Sequence, residues 1–170
     1  MNIRHTPSSV AAPFGPYSHA VEVPEGSRLL YISGEVGVGP DGTVPETIEM
    51  QAEACWRNIV AILADAGMGV EDLVKITTYL VRSEDLVAAG AARAKHFGDA
   101  RPGSATIIVQ ALVNPAWLIE IEAVAAGAAR ARPSHAGSPL HSGRHPRHSG
   151  TRQGSRRRCF SQFGPGVPRS

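Results

Sequence analysis

The sequence predicts a small α+β domain, with strand and helix patterns in the order β-β-α-β-α-β-β and two helices on one face of a single sheet. Three observations predict it. Two long helical patterns alternate with short strand patterns. The segment Trp117–Ala125 alternates apolar and polar residues with a period of two, as a half-buried strand does. Glu122 is the last acidic residue and the composition changes abruptly after Ala129, so the part able to build a core ends near residue 125.

That change divides the chain into a domain at 1–126 and a tail at 127–170. All 15 acidic residues precede residue 125 with only eight of the 17 Lys and Arg, a formal charge of about −7 for that part. The other nine arginines and four of the seven histidines follow, among many Gly, Pro and Ser. The overall charge of +2 is therefore an average over two unlike pieces. The tail is too poor in apolar residues to form a core and reads as disordered.

Residues 1–16 read as irregular, since Pro7, Pro13, Gly15 and Pro16 interrupt any regular pattern. Tyr17–Val23 alternates as a strand, Pro24-Glu25-Gly26 turns, and Arg28–Gly34 is a second strand. Val36–Val44 is a Gly-rich loop around Pro40-Asp41-Gly42. Glu46–Ala66 is the longest helix, with Ile48, Ala52, Cys55, Ile59, Ile62 and Ala66 on one apolar stripe. Cys55 on that stripe reads as a buried small hydrophobe, whereas Trp56 lies off it and faces a partner or the sheet margin. Val70–Arg82 contains a strand with Val74, Ile76, Thr78 and Leu80 in alternation. Ser83 then reads as the N-cap of an Ala-rich helix ending near His96-Phe97-Gly98, with Gly90 at its middle.

Arg101–Ala125 closes the domain. Thr106–Leu112 is an apolar, β-branched strand, Val113-Asn114-Pro115 is a turn, and Trp117–Ala125 is the last strand, so the pair reads as a hairpin. On the last strand Trp117, Ile119, Ile121 and Ala123 face one way and Leu118, Glu120, Glu122 and Val124 the other. The two carboxylates then stand roughly 7 Å apart on one face. Two readings fit them: a solvated sheet face, or a Glu in a polar cleft that handles water or a proton. A sheet covered on one side leaves the other open, and exposed apolar area there is a reason to oligomerise.

No signal-peptide pattern and no membrane span is evident, and Cys55 and Cys159 suggest no disulfide framework, which together read as a cytoplasmic protein. The tail histidines His141, His145 and His148 lack the rigid presentation a metal needs, so no metal is expected. Arg156-Arg157-Arg158 can attract an anionic surface non-specifically, but no motif points to specific nucleic-acid recognition. The break after Ala129 also fits a frame-shifted extension with no evolved role.

Several segments together resemble the RidA (YjgF) family of reactive-intermediate deaminases. They are Gly15-Pro16-Tyr17-Ser18 with Ala20-Val21, Ile32-Ser33-Gly34, then Gln51, Asn58-Ile59 and Leu63. Val74-Lys75-Ile76-Thr77, Tyr79-Leu80, Phe97, Pro102 and Ile119-Glu120-Ile121-Glu122-Ala123 follow in family order. The resemblance implies a chorismate-mutase-like fold assembled as a homotrimer, with a small-molecule substrate in each inter-subunit cleft and no cofactor. It implies hydrolysis of enamines or imines to a carbonyl product and ammonia, with Glu120 positioning water and Tyr17 beside it. It places Ser33, Gly34, Gly90, Ser104 and Thr106 around the substrate.

Two departures qualify this. The family reads Pro-x-Arg-Ser where this chain reads Pro102-Gly103-Ser104-Ala105, so Ser104 replaces the arginine that grips a substrate carboxylate. Gly90 stands where the family commonly has Asn. Arg101 lies three residues before Ser104, roughly 10 Å along an extended chain. The alternatives are accordingly a hydrolase with weak activity or an atypical substrate, a non-catalytic protein binding a small ligand in the same clefts, and, fitting least well, a ribonuclease.

Overall fold

The computed structural model describes residues 1–128. Of the tail expected at 127–170, Gly127 belongs to the last strand, and 129–170, with the histidine and arginine runs, lie outside the described residues. Strands β1 (Ile3–His5) and β2 (Ala20–Glu22) form a two-stranded antiparallel ribbon. A four-stranded sheet contains β3 (Arg28–Val36), β4 (Leu73–Leu80), β5 (Gly103–Ile108) and β6 (Ile119–Gly127) in the order β3-β6-β4-β5. Helices α1 (Ile48–Asp65) and α2 (Leu86–Phe97) cover one face.

The core lies between that face and the helices. Ile76, Leu80, Ile119 and Ile121 point inward from β4 and β6 against Ala52, Cys55, Ile59 and Leu63 of α1, and Ala89 and Phe97 of α2 close the side. Each large aliphatic side chain fully buried here stabilises the fold by about 1.5–3 kcal/mol. Thr47 caps α1 by accepting the Met50 N–H at 3.4 Å. Gly67, at φ 65°, ends it in the left-handed region that a Cβ disfavours.

Four expectations need correction. The last two strands are not a hairpin: β5 pairs parallel with β4, and β6 lies on β4's other side. The Asn114 turn does form, with Ala116 N–H on its side chain at 2.9 Å and Trp117 N–H on its carbonyl at 3.0 Å. It carries the chain past β4, because buried Gln51 seizes the segment beyond it. Gln51 Nε2 donates to Ala116 O at 2.8 Å, and its Oε1 accepts the Leu118 N–H at 2.8 Å. Parallel pairing of β4 and β5 follows from α2, which supplies the crossover that parallel neighbours require.

Residues 1–16 are not wholly irregular, since Ile3–His5 pairs with β2. Ser83 is no side-chain cap: a single 3₁₀ turn at Ser83–Asp85 precedes α2, and buried Asp85 pairs instead with Arg82 at 2.8 Å. Trp56 is 1% exposed, packed edge-on against Phe97 with ring centroids 4.8 Å apart. Helix α1 buries a wider face than its stripe suggests because it touches both the sheet and α2.

The open face of the sheet keeps Leu29, Tyr31 and Ile107 at 47%, 74% and 43% exposed. No helix among the described residues is long and apolar enough to cross a membrane.

Candidate functional site

The candidate site residues gather in two places. Tyr17, Gly90, Ser104 and Thr106 line one cavity of about 480 Å³. Ser33, Gly34 and Glu120 meet where β3 bends against β6. Ile119 and Ile121 line the cavity, so Glu120 between them points to the sheet's opposite face. The single chain does not bring the two groups together.

The cavity is built where α2, β5 and the loop before β2 converge. Ser104 and Thr106 alternate toward the helices, in register with Ile76 and Thr78 of β4. The loop is pinned by Ser18, whose N–H donates to Pro102 O at 3.2 Å beside its bridge to Gly103. That fastening brings Tyr17 to the rim, and Tyr17 Oη accepts the Phe14 N–H at 3.3 Å. The phenol O–H itself remains able to donate. Gly90 faces the cavity: a Cβ there would meet nothing within 4 Å.

Arg93, which the sequence reading did not single out, enters the same cavity one turn after Gly90. Its Nη1 donates to Ser104 Oγ at 3.1 Å and its Nη2 to Pro16 O at 2.9 Å. The guanidinium carbon stands 4.6 Å from the Phe97 ring centroid, a cation–π contact. Burial, then the Arg101 charge, pulls its pKa down to about 10. Arg101 itself turns away, donating to Gly98 O and Ala100 O. The signal for Arg93 in the sequence was its i+3 spacing from Gly90, which puts both on one helix face.

At the other place, the pairing of β3 with β6 shifts register between Ile32 and Glu35, so Ser33-Gly34 sits in an irregularity that redirects the strand. The half-buried Glu120 lies opposite Val36 and Tyr79. A Cβ on Gly34 would overlap the Glu120 carboxylate, so only glycine leaves that carboxylate its position. Glu120 forms no ion pair among the described residues, whereas its neighbour Glu122 accepts the Tyr79 phenol at 3.2 Å.

Below this corner, Asn58 Nδ2 donates to Val36 O and Val38 O and fixes the exit of β3. Partial burial pushes Glu35 above the usual carboxylate range, with the Asn58 side chain acting in the opposite direction. Cys55 is fully buried, and loss of hydration drives its thiol up to about 12. It is packing, not a nucleophile. Among the described residues no group of three His, Cys, Asp or Glu side chains is arranged to hold a metal ion.

Comparison with known proteins gives a consistent set. The family model for Endoribonuclease L-PSP matches residues 8–127. The chain is 35% identical over 127 residues to the 2-iminobutanoate/2-iminopropanoate deaminase of Mus musculus, spanning 72% of this chain and 91% of that protein. A crystal structure of YyfB from Yersinia pestis, described as a conserved Rid family protein of unknown function, superposes with a TM-score of 0.66 at 33% identity. It covers 73% of this chain and 97% of that one. The E. coli protein TdcF, solved with bound serine, gives a TM-score of 0.56 at 28% identity, covering 68% and 91%.

Proposed function

The chain belongs to the Endoribonuclease L-PSP family, which includes the Rid proteins, and we propose that it hydrolyses small imines and enamines to a carbonyl compound and ammonia. The observation that carries this reading is the Glu120 carboxylate, seated against Gly34 with no cation to neutralise it among the described residues. A carboxylate so placed can accept a proton from water. The name of the mouse relative supports the same chemistry.

In the proposed reaction, water adds to the C=N carbon as Glu120 takes its proton, and the nitrogen is protonated. The resulting carbinolamine then expels ammonia, leaving a C=O bond; an enamine must first be protonated on carbon to become the imine. Tyr17 is suited to donate a hydrogen bond to the oxygen or nitrogen at the reacting carbon.

Glu120 and the Tyr17 cavity face opposite sides of one sheet, so this reading assembles each site between copies of the chain. The exposed Leu29, Tyr31 and Ile107 give the open face a reason to be covered. A homotrimer with three such clefts is the proposed assembly. A ligand-binding role without catalysis is the competing reading, favoured by the exchange of the strand arginine for Ser104. A ribonuclease role fits poorly with the charge of about −7 on residues 1–125.

The deciding experiment generates an imine in situ and follows ammonia release by the wild type and Glu120→Gln. The hydrolase reading expects acceleration by the wild type and its loss in a folded variant. Equal rates for the two proteins would leave the binding role. Light scattering should give the mass of three chains; a monomer mass would contradict assembly of the site between copies.

A further inference from the structure

We propose that Arg93 is the anion anchor of the cavity, holding a substrate carboxylate from helix α2 where Ser104 leaves room beside it. This inference rests on the hydrolase reading and assigns to Arg93 the grip on the carboxylate of a small imine.

The cavity lining supplies one strong cation and no anion. Its polar side chains are those of Arg93, Tyr17, Trp56, Thr78, Ser104 and Thr106, and no Asp or Glu lines it. Elsewhere Arg82 is matched with Asp85 and Lys95 with Glu53. Arg93 has no carboxylate partner among the described residues. A partly buried guanidinium held by neutral oxygens and a ring face is left short of countercharge, and an incoming carboxylate supplies it.

The hydrogen-bond inventory points the same way. A guanidinium has five N–H groups. One is used on Ser104 and one on Pro16, while the buried Nε finds no partner among the described residues. A second orphan donor lies close by: Trp56 lines the cavity, and its buried Nε1 also has no partner among them. Both of these nitrogens are closed off from solvent, so the donors left for a ligand are the second N–H on each of the Arg93 Nη1 and Nη2 groups, the pair that a carboxylate takes. The lowered pKa of about 10 still leaves Arg93 charged at neutral pH.

Residues 90, 93 and 104 explain one another in this arrangement. Gly90 keeps the cavity clear one helical turn before Arg93. A small hydroxyl at 104 accepts from the helix-borne guanidinium, whereas a long basic side chain there would compete for its space. The competing account makes Arg93 only a tie that holds the Tyr17 loop through Pro16 O, and it predicts that every ligand suffers equally when the tie is cut.

Calorimetric titration of the full chain with pyruvate, and with pyruvamide as its uncharged counterpart, separates the two. Arg93→Met keeps the aliphatic packing on Phe97 and removes the charge. Pyruvate affinity should fall about ten- to a hundredfold while pyruvamide binding stays constant. Arg93→Lys should lie between, which keeps the test open if the Met variant does not fold. Adding Ser104→Arg to Arg93→Met should restore much of the pyruvate affinity. Failure of the wild type to bind pyruvate, unchanged affinity in Arg93→Met, or equal loss for both ligands would overturn the proposal. Failure of the hydrolase reading looks different: pyruvate binding stays dependent on Arg93, but the wild type releases no ammonia. Equal ammonia release by the wild type and Arg93→Met would sink the anchor and leave the hydrolase standing.

Discussion

The Glu120 carboxylate occupies the space that a β-carbon on Gly34 would take. The two residues lie on neighbouring strands, and the register shift between Ile32 and Glu35 brings the glycine to that point. A side chain at 34 and the present carboxylate position therefore exclude each other.

Gly34→Ala should accordingly displace Glu120 and reduce imine hydrolysis at least about tenfold, the scale expected for moving a general base out of reach. Gly34 is exposed, so the fold should survive. The two positions should also couple: in a Glu120→Ala background, Gly34→Ala should cost less stability than in the wild type. Thermal unfolding of the four proteins checks this, and additive shifts would contradict the contact.

Glu35 gives a pH dependence of defined sign. Its folded-state pKa lies above the ordinary 4.5, chiefly through burial. The folded state then binds more protons than the unfolded state between the two values, so this group makes stability fall as pH rises through that interval. Glu35→Gln should raise the melting temperature slightly at pH 7 and lose the advantage at or below pH 4. A variant less stable than the wild type at pH 7 would show that the carboxylate contributes favourable contacts that outweigh its desolvation.

Cys55 should be inert in the native protein. With its thiol driven up to about 12, mainly by burial, the thiolate fraction at pH 8 is on the order of one in ten thousand. The side chain is also inaccessible, with its sulfur 3.4 Å from Glu35 O. In a Cys159→Ser chain, a thiol–disulfide reagent should react with Cys55 only as denaturant unfolds the domain. Stoichiometric reaction within minutes in native buffer would contradict this.

The parts of the fold that depend on one element's own periodicity were legible in the sequence. The period-two pattern of Ile119, Glu120, Ile121 and Glu122 places the carboxylates opposite the helix-facing isoleucines, as the fold has them. Pairing between elements was not legible in the same way. The Asn114 turn looks like a hairpin turn, but Gln51, many residues earlier, holds the chain beyond it, and β4 lies between the two strands. The burial of Trp56 is not legible from the stripe, because three-and-four spacing describes one contact face and α1 has two. Arg93 is hidden for a related reason: its partner Ser104 is eleven positions on, across a loop, and the motif carries its cation on the strand itself.

The most exposed consequence concerns Ser104. Read from the motif alone, Ser104→Arg restores a missing clamp and should speed hydrolysis of carboxylated imines. The structure reverses that expectation, because Arg93 Nη1 already stands 3.1 Å from Ser104 Oγ. A second guanidinium would lose that hydrogen bond and crowd like charges in a cavity with no carboxylate of its own. Ser104→Arg alone should lower both the melting temperature and kcat/KM for carboxylated imines. The same change placed on Arg93→Met should raise kcat/KM by about tenfold or more over Arg93→Met alone, since one cation then has the site to itself. Ser104→Ala, which only removes an acceptor, should cost severalfold at most. If Ser104→Arg by itself accelerates carboxylated imines tenfold with Arg93 in place, the cavity lacked an anchor after all, and Arg93 serves only to hold the loop through Pro16.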